Sequence, residues 1–102
     1  TRYEWEVGSM IVPPNMWYHQ HFNTGTTPAR YLAFKYEGVA IRNAQGVPKA
    51  WISQRIGGDQ IDYADESQEV RTMFADALAK NGIAANMQSA YDAELPDLPP
   101  KR

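Results

Sequence analysis

The sequence predicts a mainly β fold followed by one amphipathic α-helix and an extended tail. Three observations carry this. Apolar and polar side chains alternate in the first third, glycine and proline interrupt the chain at short intervals, and a single run near residue 70 repeats at helical spacing. With 102 residues the chain has room for one small hydrophobic core. The expected division is a β unit over residues 1–64, a helix over 65–82 and an extended tail over 83–102.

Tyr3, Trp5 and Val7 alternate with Glu4 and Glu6, the pattern of a strand with one buried face. Gly8-Ser9 permits a turn, and residues 10–12 form a short apolar strand. Pro13-Pro14-Asn15 ends it, because neither proline has an N–H to give to a ladder. Residues 17–23 then read as a strand with Trp17, His19, His21 and Asn23 on one face and Tyr18, Gln20 and Phe22 on the other. A polar turn over 23–28 leads to a return strand over 31–36. Residues 39–41 and 49–56 are shorter extended pieces around Asn43-Ala44-Gln45-Gly46. Gly57-Gly58-Asp59 is a second break, and residues 61–63 a short strand or loop.

Val70, Met73, Phe74, Ala77 and Leu78 fall at i, i+3, i+4, i+7 and i+8, one apolar stripe of a helix. Asp65 suits its N-cap, Glu66 and Glu69 its positive first turn, and Asn81-Gly82 its stop. Beyond Tyr91 the Pro-rich sequence reads as an extended tail.

Composition narrows the function. Net charge is −2 and the 10 Lys and Arg residues are scattered, which argues against nucleic acid as a partner. No apolar run approaches the ~20 residues that span a bilayer, and no basic and apolar leader opens the chain; no membrane partner and a cytoplasmic location are the expectations. The absence of cysteine excludes disulfides, thiolate metal sites and a cysteine nucleophile. Neither a Ser-His-Asp spacing nor a phosphate-cradling glycine loop is present, since Gly57-Gly58 lacks the residues that would follow it.

His19 and His21, the only histidines, share one strand face, and paired imidazoles suit a divalent ion: iron, manganese, nickel, copper or zinc. Two ligands are too few for a mononuclear site, so a carboxylate or another chain must complete it. The competing reading is that the histidines only make hydrogen bonds. Asn23 either orients a ligand or closes the following turn. Trp17 and the neighbouring aromatics Trp5, Tyr18, Phe22, Tyr31 and Phe34 either pack a core or line a pocket for a small-molecule substrate, with Trp17 and Asn23 on the same expected strand face as the histidines. Asp59 and Asp62 are candidate oxygen ligands or turn residues, and Arg30 and Lys35 candidate carboxylate holders or solvated cations.

Gly8, Pro14, His19 and Asn23 stand at the spacing of a known motif: Gly, five residues, Pro, one residue, Gly, two residues, His, three residues, Asn. Met16 takes the place of the second glycine. The stretch thus resembles the second motif of the cupin superfamily, over roughly the first third of the chain. The resemblance implies half of a cupin jelly-roll barrel, with His19 at the metal-ligand position. It implies that the remaining ligands come from a missing N-terminal half, a complementary half-chain or a homo-oligomer. The activity it suggests is that of a non-haem Fe(II) oxidoreductase of dioxygenase type. The Pro-rich approach to Trp17-Tyr18-His19-Gln20-His21-Phe22-Asn23 is also similar to gentisate-type dioxygenases, which would make His21 a second ligand. The alternative is a non-catalytic cupin module for small-molecule binding or assembly, with structural histidines.

Overall fold

A computed structural model describes residues 1–35 and 40–93. The far end of the expected strand over 31–36, the start of that over 39–41 and residues 94–102 of the expected tail lie outside the described residues.

Helix α1 spans Gln68–Lys80. Ser67 caps it, its Oγ accepting the Val70 N–H at 3.3 Å, with Glu69 in the first turn and Lys80 in the last. Asp65, the expected cap, lies instead in a 3-10 turn over Tyr63–Asp65, where Arg55 engages its carboxylate. At the other end Gly82 takes φ +71, its N–H reaches the Ala79 carbonyl at 3.0 Å and that of Ile83 the Leu78 carbonyl at 3.0 Å. This paired closure needs a left-handed residue, which is why Gly follows Asn81. A second helix, α2, is a single turn over Gln88–Tyr91.

The mainly β expectation, and with it the partial cupin jelly-roll barrel, is overturned. Among the described residues there is no β-strand, and β pairing is limited to two isolated bridges, Arg42 with Pro48 and Ser53 with Gln60. Alternation assigns side chains to faces, but ladder bonds need a second segment alongside. Residues 3–7 instead run into a turn in which the Ser9 N–H bonds to the Glu6 carbonyl at 2.9 Å and the Glu6 N–H to Ser9 Oγ at 2.9 Å. Residues 10–12 and 17–23 have no ladder partner either. The stretch over 49–56 is not extended: it folds as 3-10 turns over Lys49–Trp51 and Gln54–Ile56.

The middle of the chain is held by local bonds. Asn43 Oδ1 accepts from Gln45 N and Val47 N at 3.0 and 2.9 Å, and the Lys49 N–H reaches Ile41 at 2.8 Å. Farther on, Gln54 N donates to the Gln60 carbonyl at 2.8 Å and Gln60 N to the Ile52 carbonyl at 3.0 Å. Gly58 sits where a Cβ would fall on the Ile52 carbonyl. Arg55 grips Asp65 with two bonds of 2.7 and 2.5 Å and ties this region to the approach to α1.

The core is small. Among the described residues Ala77 and Leu78, each 6% exposed, are the buried hydrophobic residues, joined by Pro48. The surface is correspondingly large: 9167 Å², against about 5,800 Å² for a folded monomer of this mass. The radius of gyration is 16.0 Å, where a compact chain of this length has about 13 Å. Among the described residues no helix is long and apolar enough to cross a membrane.

Candidate functional site

His19 and His21 lie together on an exposed surface, ring centroids 5.7 Å apart and edge to face at 81°. His21 also stacks on Tyr31, at 4.7 Å and 29°, and Trp5 meets the Tyr31 ring edge-on at 6.3 Å. The result is a ladder of rings, Trp5, Tyr31, His21 and His19, that holds separate segments of residues 1–35, the N-terminal arm, side by side without backbone pairing. His19 Nδ1 lies 3.2 Å from the Trp17 carbonyl. A carbonyl only accepts, so in a neutral ring this contact calls for the proton on Nδ1 and leaves Nε2 as the acceptor. That is the tautomer in which an imidazole ligates a metal through Nε2.

Trp17 contributes that carbonyl, while its indole is largely exposed. Asn23 is occupied by the turn after it: Oδ1 accepts from Gly25 N at 3.0 Å and Nδ2 donates to the Thr27 carbonyl at 2.9 Å. The structure therefore brings His19, His21 and the Trp17 backbone together and commits the Asn23 amide elsewhere. Among the described residues no group of three or more His, Asp or Glu is placed to hold a metal ion. The metal-binding expectation finds two imidazoles and, among the described residues, no third ligand. Asp59 pairs with Lys49 at 3.4 Å and Asp62 takes the Ser53 hydroxyl, both away from the histidines.

Met16, which stands where the motif has its second glycine, adopts the left-handed conformation with φ +67. It is the third residue of a turn in which the Trp17 N–H bonds to the Pro14 carbonyl at 3.2 Å. The backbone thus has a glycine-like geometry occupied by a residue that pays for its Cβ.

The arm is anchored to α1 at two points. The Phe22 and Phe74 rings lie 5.0 Å apart, and Asn81 Nδ2 donates to the Thr24 carbonyl at 2.6 Å. Beside this anchor lies a pocket of about 110 Å³ lined by Phe22, Tyr63, Glu66, Phe74 and Tyr91, with His21 also on its wall. Sequence reasoning placed Glu66 only in the first turn of a helix, and no spacing signal links it to Phe22. The Tyr91 hydroxyl is pushed above its usual range by burial first and by the negative charge of Glu66 second, with the positive Arg71 opposing.

No protein-family model, no curated protein and no solved structure matches the chain. The functional reading rests on the geometry.

Proposed function

We propose that this chain is a non-catalytic assembly module whose first 35 residues complete their fold against a second copy of the same chain. The observation that carries this is the exposure of the arm: Val7, Met10, Val12, Tyr18 and Phe34 all stand in solvent, and no residue of the arm belongs to a helix or strand. Large apolar side chains left in solvent over so short a stretch suit a docking surface. The charge pattern is self-complementary, which suits a second copy as the occupant. Arg2 pairs with Glu4 within one chain, and antiparallel pairing of two arms about Tyr3 exchanges that pair for two between copies, Arg2 opposite Glu4 of the other copy, while Trp5 flanks the axis.

Sedimentation of the wild type and of Tyr3→Lys tests the reading. The wild type is expected at twice the chain mass, and the variant, which sets two lysines against each other on the two-fold axis, at the monomer mass. A wild type that stays monomeric at its highest soluble concentration contradicts the reading.

A second reading belongs to the same arm: His19 and His21 form half of a divalent transition-metal site. The proton position on His19 and the 5.7 Å ring separation favour it, and imidazole suits zinc, copper, nickel and iron. Two copies would supply four imidazoles, the number that a tetrahedral ion takes. Titration with zinc is expected to saturate at one ion per two chains, and His19→Ala or His21→Ala to abolish it. Stoichiometric zinc retained by both variants would place the ion elsewhere.

A further inference from the structure

We propose that the pocket between the arm and α1 is a binding site for a small organic cation, an ammonium or methylated ammonium head group. Four aromatic side chains, Phe22, Tyr63, Phe74 and Tyr91, line it together with one carboxylate, Glu66. The negative faces of aromatic rings attract a desolvated cation, and a carboxylate supplies the counter-charge. No Lys or Arg is among the described residues that line this pocket.

A second observation points the same way. The Glu66 carboxylate acts on the Tyr91 hydroxyl by charge and by a hydrogen bond, while its Oε1 is buried from solvent and has no hydrogen-bond partner. An orphaned carboxylate oxygen in such a place costs stability unless a donor or a positive charge meets it. Tyr91 already engages one cation, because the Arg71 guanidinium lies 4.0 Å from its ring centroid, in the neighbouring hollow that Tyr91 also borders. Arg71 is held there by the bonds of one guanidinium nitrogen to the Tyr63 and Ala64 carbonyls, at 3.0 and 2.9 Å, and its Nε is, like Glu66 Oε1, buried without a hydrogen-bond partner.

Size selects the ligand. A cavity of about 110 Å³ is well below the ~300–1,000 Å³ of a site for a drug-sized molecule. It takes a head group. The site does not depend on self-association of the arm, since all its lining residues come from one chain.

The test is titration of the full chain with tetramethylammonium chloride, followed by side-chain proton resonances of Phe22, Phe74 and Tyr91 and by calorimetry. Neutral tert-butanol of similar shape, and sodium chloride, serve as comparisons. Saturable shifts with tetramethylammonium and none with tert-butanol are expected. Glu66→Gln keeps the shape, removes the charge and should weaken binding by about ten-fold, the effect of one lost charge contact. Phe74→Leu keeps the helix stripe apolar and should weaken it similarly. Absence of saturable binding, equal shifts from tert-butanol, or unchanged affinity in Glu66→Gln would overturn the proposal. The comparison of cation with alcohol uses the wild type alone, so it decides even if a variant fails to fold.

Discussion

Met16 is the residue at which local sequence and local backbone disagree. Its φ of +67 belongs to glycine, yet it carries a long apolar side chain that is 69% exposed and gains little from packing. The left-handed conformation costs a residue with a Cβ about 1–2 kcal/mol, while glycine gives back about 0.5–1 kcal/mol in chain entropy. Met16→Gly is therefore expected to stabilise the chain by roughly 0.5 kcal/mol, measured as a rise in the denaturant midpoint. A fall would mean that the Pro14 to Trp17 turn is not formed. The spacing of Gly8, Pro14, His19 and Asn23 drew attention to this position. It could not reveal that the backbone conformation is present without the glycine.

Among the elements, α1 was the most legible in the sequence, because its apolar stripe, its Asn-Gly stop and its charges all point to one structure. Its start was less so. Asp65 and Ser67 are both good caps, and the choice between them is made by Arg55, ten residues upstream, which takes the Asp65 carboxylate. That grip holds the Asp65 carboxyl below the usual carboxylate range, first through its hydrogen bonds to Arg55 and then through the Arg55 charge, against an opposing contribution from burial. A lowered folded-state value contributes stability above the ordinary carboxylate range and loses it as pH falls through that range. Asp65→Asn should therefore melt a few degrees below the wild type near neutral pH, and the gap should close on acidification. A gap that is unchanged with pH would show that the Asp65 charge is not involved.

The β pieces were misread for a reason that belongs to this same scale. Alternation in residues 3–7 and 17–23 is present, but no described segment makes a ladder with either, and side-chain rings rather than ladder bonds hold the arm together. Residues 49–56 were misread for a different reason. Ser53 Oγ accepts the Arg55 N–H at 3.1 Å, a local bond that favours a tight turn over an extended chain.

At the scale of the whole molecule, surface and core are out of proportion. A surface of 9167 Å² around a core of Ala77, Leu78 and Pro48 leaves most of the apolar residues of the arm without a place to go. The candidate site inherits this: His19 and His21 were legible as a pair from their spacing, whereas the pocket at Glu66 was not, since it depends on Phe22 meeting Phe74 across fifty residues of chain. If a second copy covers the arm, the missing ladder partners, the exposed apolar side chains and the incomplete set of imidazoles have one common cause.

The central claim is that the arm finishes folding on a second copy, and amide hydrogen exchange across residues 1–35 as a function of protein concentration tests it most directly. The account predicts that amides around Tyr3, Trp5 and Val7 exchange rapidly in dilute solution and become protected as the dimer forms, while those of α1 keep the same protection throughout. Rapid exchange over the arm at every concentration, or protection already complete in the monomer, would contradict it.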